Sequence, residues 1–247
     1  MKETKKRSGK LFAALAALLL IGAAALLCVK MLPDSYAAQP DAVIASTVET
    51  GVVHVSQPEQ NILLFYPEKP VAGLVFYPGA RVEFSSYSPL MHKLARSGIL
   101  CVLVQMPADI ALFYTDAAKG IPAQYPEIGT WYIGGHSLGG AAAAMYVQKH
   151  PDEYDGLLLL ASYSSVDLRE TGLNVISIYG ENDLVLNRKS YEKYRSNLPE
   201  NVWELVIPGG NHAQFGSYGE QDGDGPAEIT AKEQRAITAA FCLEHMK

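Results

Sequence analysis

The chain has few cysteines and no repeated sequence, which argues against a disulfide-rich protein and against a repeat protein. Among its 247 residues there are three cysteines, Cys28, Cys101 and Cys242, which are too few for a disulfide framework. We predict that the last two are buried thiols that pack as small hydrophobic side chains. No internal repeat or low-complexity segment follows the first 30 residues, so a repeat architecture is not expected.

Positive charge is scarce outside the N-terminus. Six of the 20 Lys and Arg residues lie within the first 30 residues, beside a single acidic residue, which leaves 14 basic and 25 acidic residues in the remainder. A body this acidic repels phosphate backbones, and we therefore expect no nucleic-acid partner.

The N-terminus combines basic residues with a long apolar run. Residues 1–10 carry five basic residues, and the uncharged residues 11–29 would span about 28 Å as a helix, close to the hydrocarbon thickness of a bilayer. We expect residues 1–10 in the cytoplasm, a single-pass signal-anchor helix at 11–30 in the cell membrane, and an extracytoplasmic body. The alternative is secretion after signal cleavage, which Lys30 disfavours because a small-residue cleavage site would be expected there.

The remaining chain reads as a linker followed by one domain. Residues 31–48 are small, polar and proline-containing, which is typical of a linker, and residues 49–247 form the domain. The first two strand-like runs are residues 52–55 and 61–66. Further strand-like runs alternate with helical stretches, and one of these predicted helices is residues 108–119. This α/β alternation predicts a mostly parallel twisted sheet with helices on both faces. No insertion is long enough for a large lid, so we expect an open site.

The segment Gly135-His136-Ser137-Leu138-Gly139 carries the strongest chemical signal. An apolar strand-like run precedes it and an Ala-rich helical stretch follows, so the G-x-S-x-G pattern lies in a strand-to-helix turn. A serine in such a turn has a strained backbone and needs small neighbours, which the glycines supply. The following helix directs N–H groups towards developing negative charge. We predict Ser137 as a nucleophile; a glycine-rich connector is the alternative.

The order Ser, acid, His predicts the partners of this serine. His212 follows a strand and the loop Pro208-Gly209-Gly210-Asn211, and is favoured as the base over His150 and His245. Asp183 follows another strand, at the sheet edge where sites of this class lie, and is favoured as the acid. Two alternatives for the acid stay open: Glu181 and Asp167.

Acyl transfer also needs donors for the oxyanion. The N–H of Leu138, directly after the nucleophile, is one, and the N–H of Ala80 in the loop Pro78-Gly79-Ala80-Arg81 is the other. Arg81 contacts an anionic substrate, orients this loop, or pairs with Glu83; the sequence does not choose among these roles.

Aromatic residues near these motifs are candidates for binding a substrate. Tyr77, Phe215 and Tyr218 are predicted to line a pocket, although packing in the core explains them equally well. The acidic segment 221–225 lacks the spacing of a calcium loop and favours a turn. We predict no metal and no cofactor.

Four segments together resemble the α/β-hydrolase superfamily, and more closely its compact bacterial fold-5 branch, which is related in pattern to dienelactone hydrolases. They are Phe76-Tyr77-Pro78-Gly79-Ala80, the glycine-rich segment 134–140, Tyr179-Gly180-Glu181-Asn182-Asp183, and the segment 209–216 around His212. The resemblance covers residues 61–247 and implies a Ser137–Asp183–His212 triad that hydrolyses a small-molecule ester. Two other functions stay open: a non-catalytic binding module of the cell envelope and an acyltransferase with the same triad. The oligomeric state is left open.

Overall fold

The computed structural model describes residues 34–246, and an eight-stranded sheet is its central element. The strands are β1 (Val53–Glu59), β2 (Ile62–Pro67), β3 (Ala72–Tyr77), β4 (Ile99–Val104), β5 (Trp131–His136), β6 (Gly156–Leu160), β7 (Asn174–Gly180) and β8 (Val202–Ile207). Their order in the sheet is β1-β2-β4-β3-β5-β6-β7-β8. β2 pairs antiparallel with both β1 and β4, and all other pairs are parallel. The predicted mostly parallel sheet is confirmed.

Helices follow most of the parallel strands. The α-helices are α1 (Pro40–Ala45), α2 (Ser88–Ala95), α3 (Leu138–Lys149), α4 (Arg188–Tyr194) and α5 (Ala231–His245). Local sequence sets where they begin: the Asn187 side chain accepts the N–H of Ser190 at the start of α4. Thr230 and Glu233 form a reciprocal capping box at the start of α5.

The sheet divides the core into two layers because side chains alternate along each strand. On β3, Leu74 and Phe76 face one layer with residues of α2 and α5, while Val75 and Tyr77 face the other with residues of α3. Both layers are apolar, which explains why β3 to β6 are continuous hydrophobic runs instead of alternating ones. Helices therefore cover both faces, as predicted.

Residues 108–119 do not form the helix that we predicted. They form short 3-10 turns, and Ala108 and Asp109 have positive φ values of 52° and 53°, which an α-helix does not accommodate. Tertiary contacts fix this path: the Tyr77 hydroxyl donates to the Thr115 carbonyl and accepts the Ala118 N–H. These buried contacts outweigh the helix propensity of the local sequence.

Part of the segment predicted as a linker packs against the domain. We call residues 35–45 the N-terminal strap. Its Tyr36 bridges to Val82 as a strand would, and its helix α1 contacts α2. The composition of the segment is that of a linker, but specific hydrogen bonds hold it in place.

No helix among residues 34–246 is long and apolar enough to cross a membrane. The predicted anchor at 11–30 and the basic residues 1–10 lie outside this range.

Candidate active site

The turn between β5 and α3 holds Ser137 in a strained conformation. Its φ and ψ are 52° and −121°, an arrangement that non-glycine residues rarely adopt. A Cβ atom on Gly135 would come within 2.5 Å of the Tyr77 carbonyl oxygen, and one on Gly139 would clash with the same oxygen. The glycines are therefore needed because β3 passes this close to the turn, as the predicted elbow requires.

His212 and Asp183 form a buried pair at the same edge of the sheet. His212 Nδ1 lies 2.8 Å from Asp183 Oδ2, and the two side chains are 1% and 0% exposed. The other carboxylate oxygen, Oδ1, accepts the N–H groups of Val185 and Leu186 at 2.9 and 2.8 Å. With its proton on Nδ1, the neutral imidazole donates a hydrogen bond to the carboxylate, and its Nε2 is then an acceptor. Within residues 34–246, this Nε2 has no hydrogen-bond partner.

Asp224 fixes the loop that carries His212. Its carboxylate accepts the N–H groups of His212, Ala213 and Gly225 at 3.2, 2.9 and 2.8 Å. The acidic segment 221–225 thus serves as a turn whose carboxylate binds backbone. Sequence reasoning predicted the turn but missed the role of Asp224, since nothing local links it to His212.

Ser137 and His212 line one cavity of about 450 Å³. One face of α3 contributes Leu138, Ala141 and Met145, which recur at helical spacing. The loops after β6 and β7, the helix α4, and Leu112 from the segment after β4 complete the wall. Several neutral polar side chains line it beside Ser137: Ser162 and Ser165 from the loop after β6, and Asn187 and Ser190 at the start of α4. Among the described residues, no Asp, Glu, Lys or Arg side chain lines this cavity.

The loop after β3 lies against the first turn of α3. A Cβ atom on Gly139 would clash with the carbonyls of Tyr77 and Pro78, so the two segments touch through their backbones. Leu138 is the first residue of α3, and its N–H therefore has no acceptor within the helix. Ala80 is half-buried in the facing loop. The two predicted oxyanion donors thus belong to neighbouring segments.

Arg81 lies away from the cavity lining. It has a positive φ of 58°, its N–H donates to the Asp109 carbonyl, and its guanidinium carbon is 5.8 Å from the centre of the Tyr36 ring. The Glu83 carboxylate accepts the Ala38 N–H and the Ser85 hydroxyl. Arg81 thus connects the loop with the strap, and it is not among the residues that line this cavity.

The three aromatic candidates also lie outside the cavity lining. Tyr77 is fully buried in the α3 layer, where its hydroxyl holds the 115–118 turn. Phe215 and Tyr218 pack in the opposite layer, and Tyr218 hydrogen-bonds to Gln221. The three side chains therefore pack in the core, which was the alternative to a role in a pocket.

The alternative acids are occupied elsewhere. The Glu181 carboxylate accepts the N–H of Gly209. Asp167 is exposed and paired with Arg169, which lowers the pKa of its carboxyl group to about 2. Asp183 alone among the three contacts His212.

Two further residues at the site were not singled out from the sequence. His136, between the two elbow residues Gly135 and Ser137, packs its ring against His212 with the ring centres 4.4 Å apart. Tyr87 places its hydroxyl 2.8 Å from His136 Nδ1. The elbow motif allows any residue at the position of His136, and Tyr87 is 49 residues away, so the sequence gives no sign of this contact.

The fold and the sequence both define the class of this protein. The model of an alpha/beta hydrolase family matches residues 73–236, more than half of the chain. The chain belongs to this family.

Solved structures share the fold at low sequence identity. The chain is similar to TT1662 from Thermus thermophilus, with a TM-score of 0.58 and 15% identity. The match covers 79% of this chain and 98% of TT1662, and the coverages below are given in the same order. It is similar to Est1E from Butyrivibrio proteoclasticus, with a TM-score of 0.55, 12% identity, and 79% and 99% covered. It is also similar to a predicted CIB-like hydrolase from Thermoplasma acidophilum, with a TM-score of 0.53, 14% identity, and 78% and 98% covered. No curated protein matches the chain.

Proposed function

We propose that this hydrolase cleaves carboxylic esters or related acyl bonds through a Ser137–Asp183–His212 triad. One observation carries the proposal: the strained Ser137 shares a cavity with His212, whose Nδ1 lies 2.8 Å from the buried Asp183 carboxylate. A strained serine, an imidazole with a free nitrogen and a carboxylate that orients it are the three parts of this chemistry.

The proposed reaction has two halves. His212 Nε2 accepts the Ser137 hydroxyl proton while the oxygen attacks the ester carbonyl. The N–H groups of Leu138 and Ala80 stabilise the tetrahedral oxyanion. The intermediate collapses to an acyl-enzyme, and the alcohol leaves with the proton from His212. Water, activated by His212, then releases the acid and regenerates Ser137.

The cavity favours a small, uncharged substrate. A volume of about 450 Å³ is typical of a site for a small molecule. An anionic group inside it would lose its hydration without gaining a cationic partner, which is unfavourable.

Labelling with a fluorophosphonate probe tests the nucleophile. In the full-length protein, we expect the probe to modify the wild type and the Ser196→Ala variant equally, because Ser196 is exposed and distant from the motif. Ser137→Ala should lose labelling completely, since no other serine lies in the elbow. Turnover of p-nitrophenyl esters should disappear with it.

Three results of these experiments would contradict the proposed function. Equal labelling of Ser137→Ala would remove Ser137 from the role of nucleophile. A folded wild-type protein that is never labelled would instead indicate a non-catalytic module. Labelling with release of acyl groups only to an added alcohol would indicate acyl transfer.

We also propose that residues 11–30 anchor the protein in the cell membrane and place the hydrolase domain outside the cytoplasm. The support is the apolar run and the basic residues before it. Extraction of membranes with alkaline carbonate tests the anchor.

A further inference from the structure

Tyr87 and His136 form a buried hydrogen-bonded pair beside the proposed triad. Tyr87 lies in a 3-10 turn before α2 and is fully buried, as is His136. The Tyr87 hydroxyl accepts the N–H of Gly79 at 3.0 Å and lies 2.8 Å from His136 Nδ1. The pair thus contacts the loop that carries Ala80 on one side and the elbow on the other.

Burial and the hydrogen bonds of the pair support one assignment of its protons. Burial raises the pKa of the Tyr87 hydroxyl, so it keeps its proton. Burial holds the pKa of His136 well below its usual value, and protonation of the neighbouring His212 ring would lower it further, so the imidazole of His136 is neutral. Gly79 donates to the hydroxyl oxygen, and His136 Nδ1 is the acceptor within reach of the hydroxyl proton, so we assign the Tyr87 proton to this bond and the proton of His136 to Nε2. Among residues 34–246, His136 Nε2 has no hydrogen-bond partner.

The neutral ring of His136 packs against the ring of His212. Its centre lies 4.4 Å from the His212 ring and 5.6 Å from the Phe215 ring. A protonated ring at this distance would oppose the imidazolium that His212 becomes during attack. There is also no spare room: a Cβ atom on Gly79 would lie 2.8 Å from His136 Nδ1 and 2.9 Å from the Tyr87 oxygen.

We propose that Tyr87 and His136 are positioning residues that hold the oxyanion loop and His212 in register with Ser137. Tyr87 fixes the Gly79 amide, one residue before the proposed donor Ala80, and His136 transmits this position to His212. The inference rests on the proposed function, since it assigns the pair a role in that reaction. Neither residue is the proposed nucleophile, base, acid or oxyanion donor.

The variant Tyr87→Phe tests the pair, since it removes the hydroxyl and keeps the ring that packs on Phe76. Activity is expressed per site, from titration with the fluorophosphonate probe. We expect kcat to fall about 10- to 100-fold, the range that a misplacement of about 1 Å produces, with KM nearly unchanged. The inhibition constant of an alkylboronic acid, which mimics the tetrahedral intermediate, should rise by the same factor.

Tyr132→Phe is the matched control. Tyr132 is also buried, and its hydroxyl donates to the His245 carbonyl at the end of α5. Its loss should lower stability without changing kcat per titrated site. A kcat per site for Tyr87→Phe within about twofold of the wild type, or a rise in KM alone, would overturn the proposal. An unlabelled wild type would instead remove the proposed function.

A second measurement uses the wild-type protein, so it tests the proposal even if the Tyr87→Phe variant does not fold. Nitrogen-15 NMR of the histidines in the wild-type protein should show His136 neutral between pH 6 and 8, with the proton on Nε2. A proton on Nδ1, or titration of His136 in this range, would overturn the proposal.

Discussion

At the scale of single residues, Asp183 has two different tasks. Its Oδ1 accepts the N–H groups of Val185 and Leu186, and its Oδ2 faces His212 Nδ1. The backbone bonds fix the rotation of the carboxylate, so that Oδ2 is directed at the imidazole.

Asp183→Asn should therefore invert the protonation of His212. The two backbone N–H groups would hold the amide oxygen, and the NH₂ group would turn towards Nδ1. The imidazole would then carry its proton on Nε2 and no longer accept one from Ser137. We expect kcat to fall by about 10⁴-fold with the fold intact. Steady-state kinetics on a p-nitrophenyl ester measure this.

Asp167→Asn is the control for that change. Asp167 is exposed and paired with Arg169, so kcat should stay near the wild-type value. A similar loss in both variants, or none in Asp183→Asn, would show that Asp183 is not the acid.

At the scale of elements, the N-terminal strap joins the two loops that border the site. Tyr36 donates its N–H to the Arg81 carbonyl and accepts the Glu83 N–H, both in the loop after β3. Its hydroxyl accepts the Asp222 N–H, and its ring lies 5.7 Å from Tyr218, both in the segment after His212. The strap thus holds the loop after β3 and the segment after His212 together.

Replacing Tyr36 with Ala removes the ring and the hydroxyl from this junction. We expect the free energy of unfolding to fall by about 1–3 kcal/mol, the common range for loss of a partly buried contact. Chemical denaturation of the full-length protein measures it. Ile44→Ala, on the exposed face of α1, should change stability by at most about 0.5 kcal/mol. Equal effects of the two changes would argue against a structural role of the strap.

At the scale of the whole molecule, the sheet brings the proposed triad together from three strand ends. Ser137 follows β5, Asp183 follows β7 and His212 follows β8, and these strands are parallel. Parallel strands end at one edge, so residues far apart in sequence meet there. The division of the core into two layers leaves this edge as the place where loops from both sides converge.

The anchor is the prediction that belongs to the whole chain. We expect the wild-type protein to stay in the membrane fraction after an alkaline carbonate wash. A variant with Leu19→Arg and Leu20→Arg should be released, because each charge in the middle of the run costs about 2.5–3.5 kcal/mol on insertion. A shorter, soluble wild-type chain would show signal cleavage and contradict the anchor.

The sequence by itself determined the alternation of strands and helices and the position of the elbow. Continuous apolar runs predict buried parallel strands, since both faces of such strands are covered. The glycines around Ser137 predict the tight turn because only residues without a side chain fit beside β3. These features depend on local residue types and spacing, which a sequence displays directly.

Only the tertiary structure decided which side chains meet. It separated Asp183 from Glu181 and Asp167, because these differ in what they touch and not in their own chemistry. It placed Tyr77 in the core and replaced the predicted helix at 108–119 with turns. Contacts between residues distant in sequence control each of these outcomes, and no local pattern encodes them.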